Sequence, residues 1–170
     1  MLGIPDIHLR RATSADAEGV ADVYVASWNE GFALLMPPRV LSSQEVSRWE
    51  RDLGAGRVRW WLAQSGASVI GFVGTGPSRD PIDPDLGEVD TIAVAPSAWR
   101  HGVGRRLMNV ALNDLVGAGY RQGILWTLAD YEHGRDFYTA TGWHVSGETR
   151  ASGRQIAFRR PLADPSLDAG

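Results

Sequence analysis

The sequence predicts a mixed α/β fold, a mostly antiparallel central sheet flanked by helices in the order β-α-α-β-β-β-α-β-α-β-β. Three observations carry this. Segments of two-residue apolar alternation and segments of helical period follow one another without a repeat, which implies one domain over residues 1–170. Ser65-Gly66-Ala67 and Ala151-Ser152-Gly153 sit between strand-like runs and mark hairpins. Thr91-Ile92-Ala93-Val94-Ala95-Pro96 leads through a two-glycine turn into an apolar-periodic helix.

Ile7 to Ala12 alternates and reads as the first strand. Thr13 or Ser14 then caps a helix with Ala17, Val20, Ala21, Val23, Tyr24 and Ser27 or Trp28 at helical spacing. Pro37-Pro38 breaks the chain, and Ser42-Ser43-Gln44-Glu45 is a capping box opening a helix to about Leu53, ended by Gly54 and Gly56. Val58 to Gln64 and Ser68 to Gly76 are strands, and residues 77–87, rich in Pro and Asp, form a loop. Glu88 to Ala95 is the next strand. A helix follows to Gly117 or Gly119, then a strand over Gly123 to Ala129 and a short helix over His133 to Thr141, closed by Gly142. Trp143 to Glu148 and Arg154 to Arg160 make a final antiparallel pair. The core is expected over residues 7–160, with a polar, fraying tail from Pro161 to residue 170.

A 170-residue chain can bury a sizeable core, and 44% hydrophobic residues is ordinary for a globular domain. A formal charge of -3 argues against a nucleic-acid partner. With no cysteine there is no disulfide, thiolate metal site or cysteine nucleophile. The start has no signal-peptide pattern and no apolar run nears the ~20 residues of a membrane span, so a cytoplasmic protein without a membrane partner is expected. His8, His101, His133 and His144 show no metal-ligand spacing, and no metal is expected. Seven tryptophans read mainly as core, with Trp28, Trp49, Trp60, Trp61 or Trp126 as candidate pocket walls.

Arg100-His101-Gly102-Val103-Gly104-Arg105 carries the chemistry. A strand, a glycine turn and a helix start present free N–H groups and the positive end of a helix dipole, which suits a pyrophosphate. A Rossmann dinucleotide turn needs a third glycine, and Leu107 stands there. With Pro96 to Gly104 at its centre and Phe137-Tyr138-Thr139-Ala140-Thr141-Gly142-Trp143 downstream, the element order resembles the Gcn5-related N-acetyltransferase (GNAT) superfamily over residues 7–160. The departures are Trp99, where Gln or Arg is usual, Trp143 for a Phe, and Tyr131 where an Asn often contacts the CoA arm.

The resemblance implies transfer of an acetyl group from acetyl-CoA to a primary amine. It implies that Ile92, Ala93 and Val94 bind the pantetheine arm like an added strand. Arg100, His101, Gly102, Val103, Gly104 and Arg105 would take the pyrophosphate, and Tyr131 the arm. Arg105, Arg106 or Arg135 would meet the 3'-phosphate. Tyr138 would protonate the leaving thiolate, a suitable role for a phenol whose reference pKa of about 10 exceeds that of a thiol. Alternation places Glu88, Asp90, Ile92 and Val94 on one face, and either Glu88 or Asp90 is the candidate base, directly or through water. The plain alternative is that one of them simply pairs with a nearby arginine. His101 and His133 are not assigned to catalysis.

The acceptor region implied by the family includes Trp28, Glu30 and Phe32, which suits a small-molecule amine with an apolar body. Acetylation of a protein N-terminus or lysine, or acyl-CoA binding without turnover, are the alternatives. Trp126 occupies the place of a glutamate common in ribosomal-protein N-terminal acetyltransferases, which argues against that subclass. A homodimer is a common assembly in the family.

Overall fold

A computed structural model describes residues 6–162 and has the predicted element order. The elements are β1 (Ile7–Arg11), α1 (Ala17–Gly31), α2 (Ser43–Gly54), β2 (Arg59–Ser65), β3 (Ser68–Pro77), β4 (Leu86–Val94), α3 (Val103–Gly117), β5 (Gln122–Leu128), α4 (Glu132–Ala140), β6 (His144–Arg150) and β7 (Gln155–Pro161). Local chemistry sets several starts. The Ser42 hydroxyl accepts the Glu45 N–H at 3.2 Å at the head of α2. Asp16 accepts the Thr13 N–H at 2.9 Å and is clamped by Arg10 at 2.7 Å, fixing the entry to α1.

The seven strands form one sheet in the order β1-β2-β3-β4-β5-β7-β6, antiparallel except for β4–β5. Two core layers cover it. Leu107, Met108, Ala111 and Leu115 of α3 pack with Val73, Val89, Leu125, Trp143 and Phe158. Val20, Ala21, Trp49 and Leu53 of α1 and α2 pack with Trp60, Leu62 and Phe72. No described helix is long and apolar enough to cross a membrane.

Three expectations are corrected. The loop predicted over 77–87 is shorter, because Pro77 pairs with Gly87 and extends β3 by one residue, while β4 begins at Leu86. A side chain on Gly87 would collide with Leu115 and Tyr120, at 2.6 and 2.7 Å, so the residue that reads as a turn glycine is a packing glycine. The last strand runs through Pro161, and the Leu162 N–H donates to the Arg121 carbonyl at 3.0 Å; residues 163–170 of the predicted tail lie outside the described residues. Finally, Val73 pairs with Ile92 while Thr75 pairs with Val89, so β4 carries one extra residue around Asp90 and Thr91. This bulge breaks the expected alternation. Ile92 and Val94 join Val89 on the α3 side, whereas Glu88 and Asp90 together reach Arg79.

Candidate active site

The bulge coincides with a gap in the sheet. Strands β4 and β5 pair only over Leu86–Glu88 against Gln122–Ile124, and beyond Glu88 they part. A cavity of about 630 Å3 fills the gap and runs from the glycine turn to Trp126. The Ala95 N–H donates to the Ile70 carbonyl at 2.8 Å, so antiparallel alternation turns the polar groups of Ala93 toward β3 and those of Ile92 and Val94 into the gap. Of the three residues expected to offer backbone groups, Ala93 therefore has its own engaged within the sheet. The Val94 carbonyl is also taken, by the Trp99 indole N–H at 2.7 Å. Ile92 and the Val94 N–H are left facing the cavity.

The turn has the predicted form. Arg100 and Gly102 adopt left-handed backbone, with φ of 63° and 78°, and Gly102 caps α3. The first helical bond joins the Arg106 N–H to the Gly102 carbonyl at 3.2 Å, which leaves the N–H groups of Val103, Gly104 and Arg105 ahead of the helical ladder. Gly104 serves packing, since a Cβ there would lie 3.2 Å from the Phe137 ring. Arg100 and Arg105 line the cavity; His101 and Arg106 are exposed and neither forms its wall. Arg135 donates to the Ala129 carbonyl at 2.8 Å, which ties it to the end of β5.

Tyr138 lines the cavity from α4, between Phe137 and Phe158 with ring centroids 5.6 Å from each. Burial pushes its phenol well above the ordinary tyrosine value, so the hydroxyl stays protonated at neutral pH. Tyr131 packs edge-on to Phe32 at 4.6 Å, and its hydroxyl lies 2.8 Å from where a Cβ on Gly31 would stand. The next ring, His133, stacks on Trp99 at 5.3 Å. Trp99 and Tyr131, separate departures in the sequence, thus join in one aromatic span from the glycine turn to the end of α1.

The two acids divide. Asp90 lines the cavity, with Thr91 donating to it at 2.9 Å and Arg79 at 2.5 Å. Glu88 does not line it and is 5% exposed, with Arg79 Nε 3.3 Å away. Pairing with an arginine, expected of one acid, extends to both, and the partner is Arg79, which nothing in the local pattern of the sequence marks. Burial raises the Glu88 pKa more than Arg79 lowers it. A raised carboxyl pKa favours the folded state below the unfolded value near 4.3 and withdraws that support as pH rises through the folded value. Glu88→Gln, which leaves Arg79 its Asp90 partner, is expected to gain Tm relative to the wild type as pH rises from about 4, below the unfolded carboxyl value, to about 8. Thermal unfolding at both pH values checks this; a gap that narrows with rising pH contradicts it.

At the far end Trp28 and Phe32 line the cavity, but Glu30 is exposed and does not. Helical period explains the correction: residues 28 and 32 share a face, and residue 30 lies about 200° around from each. The tryptophans split the same way. Trp49, Trp60 and Trp143 are buried in the core, and Trp61 is partly buried beneath Arg11 at 5.2 Å. Trp28, Trp99 and Trp126 line the cavity.

Known proteins agree with this geometry. The acetyltransferase (GNAT) family matches residues 21–143. A probable N-acetyltransferase of Mycobacterium tuberculosis, Rv2775, is 29% identical over 150 residues, covering 85% of this chain and 83% of its own. The fold resembles the PaiA N-acetyltransferase of Thermoplasma acidophilum, solved in complex with coenzyme A, with a TM-score of 0.73, 17% identity and coverage of 92% and 99% of the two chains. It also resembles the ribosomal-protein-S18-alanine N-acetyltransferase of Escherichia coli, with a TM-score of 0.66, 16% identity and coverage of 93% and 95%. The parted strands, the glycine turn and the matched sequence converge, and this chain belongs to the GNAT acetyltransferase family.

Proposed function

We propose that the protein transfers the acetyl group of acetyl-CoA to the primary amine of a small molecule by direct attack. The observation that carries this is the continuous cavity between β4 and β5, with an anion cradle at one end and a carboxylate at the other. The N–H groups of Val103, Gly104 and Arg105, with Arg100 and Arg105, fit a pyrophosphate. Ile92 and the Val94 N–H fit an extended amide arm. Asp90, the carboxylate on the cavity wall, takes the amine proton directly or through a water, while Glu88 holds Arg79 in place behind it. Tyr138 returns a proton to the departing thiolate.

The test is thiol release from acetyl-CoA across a panel of amines, beside donor binding by calorimetry. Turnover with small amines supports the reading; tight donor binding without turnover on any amine or peptide overturns it. Asp90→Asn is expected to lower kcat/KM by about 100-fold with unchanged donor affinity, the range of a general base.

Trp99 supplies a separate test of the donor end. Trp99→Phe keeps a ring to stack on His133 but loses the N–H that occupies the Val94 carbonyl. The loss of one hydrogen bond, about 1 kcal/mol, is expected to change the KM for acetyl-CoA about fivefold and leave kcat alone. An unchanged donor KM removes Trp99 from the donor site.

A further inference from the structure

We infer that the acceptor is a primary monoamine with a flat aromatic body and no carboxylate; this rests on the donor and acceptor ends assigned above. Beyond Tyr138 the cavity is walled by Trp28, Phe32 and Met36 on the α1 side and by Trp126 on β5. These rings are held by the protein itself. The Trp28 indole N–H donates to the Pro37 carbonyl at 3.1 Å, Arg39 lies over its ring at 4.2 Å, and Phe32 meets it edge-on at 4.8 Å. Trp126 donates to the Asp80 carbonyl at 3.1 Å and carries Arg150 over its ring at 4.3 Å. Walls fixed in this way accept a flat apolar body with little ordering cost, and pair with it edge or face.

Charge then selects the head group. Asp90 is the acid that β4 places on the wall, Asp136 lies on it from α4, and Asp80 and Glu88 pair with the arginines behind. The neighbouring cations are set back from the cavity and committed. Arg79 holds Glu88 and Asp90, Arg150 holds Asp80 and Gln155, and Arg39 covers Trp28 and Tyr24. An entering ammonium meets opposite charge and aromatic faces. An entering carboxylate loses its water and meets Asp90, with neither Arg39, Arg79 nor Arg150 among the described residues of the wall. A second ammonium on a long chain would lie against aromatic walls, with Glu88 committed to Arg79 and Asp80 to Arg150.

The experiment compares kcat/KM, by thiol release from acetyl-CoA, for 2-phenylethylamine, L-phenylalanine, n-butylamine and spermidine. The first and second differ by one carboxylate, and 2-phenylethylamine is expected to exceed L-phenylalanine by ~100-fold, as for a site that leaves a polar group unpaired. It is expected to exceed n-butylamine by roughly tenfold, the worth of burying the extra apolar surface of the ring. L-Phenylalanine, n-butylamine or spermidine matching or surpassing it would overturn the inference while leaving the acetyltransferase reading intact. No turnover with any amine, despite donor binding, overturns that reading and this inference with it.

Discussion

Tyr138→Phe is expected to lower kcat by about 100-fold or more, within the range of a lost general acid, and to leave the dissociation constant for CoA nearly unchanged. The geometry separates the two effects. The Tyr138 ring sits between Phe137 and Phe158, and a phenylalanine ring fills the same space. What is lost is one hydroxyl on the cavity wall, kept protonated because burial disfavours the phenolate. The thiolate that leaves an acetyl transfer needs a proton at neutral pH, and this group carries one throughout the physiological range. The raised pKa also bears on the pH profile: wild-type activity is expected to show no loss from Tyr138 ionisation near the ordinary tyrosine value of about 10. Stopped-assay kcat and calorimetry on the variant are the measurements. A collapse of CoA affinity with kcat unchanged would make Tyr138 a structural residue.

Trp143→Ala is expected to cost about 3–5 kcal/mol, the range of a large aromatic truncated in a core, and to lower Tm by on the order of 10 °C. Trp143 is fully buried, and its ring covers Gly123 so closely that a Cβ there would lie 2.9 Å away. Its indole nitrogen has no partner among the described residues, which places the cost nearer the lower bound than the upper. The backbone N–H of Trp143 donates to the Tyr138 carbonyl at 3.0 Å at the end of α4, a bond that alanine retains, so the expected loss comes from the side chain. Thermal unfolding followed by circular dichroism gives the first quantity. A Tm within 2 °C of the wild type would remove Trp143 from the core.

The legible part of the fold was the part written in local chemistry. Strand and helix runs, the Ser42 cap, and the Gly102 turn depend on residues a few positions apart, and each stands where periodicity and capping rules put it. The strand ends were less legible, because Pro77 and Gly87 look like turn residues until their pairing across the sheet is known. Glu30 failed for another reason. Sequence adjacency groups it with Trp28 and Phe32, while helical geometry sends it to solvent.

By itself the sequence determined the element order, the anion cradle and the block holding Tyr138, since backbone conformation and apolar period are local properties. Tertiary structure decided which acid faces the cavity. One extra residue in β4 breaks its alternation, Arg79 arrives from the loop before it, and the parted strands leave Asp90 on the wall with Glu88 behind it. Long-range packing also made one aromatic span of Trp99, His133, Tyr131 and Phe32, residues drawn from three segments of the chain. A ring has no partner in a sequence; it acquires one only when the sheet brings those segments together.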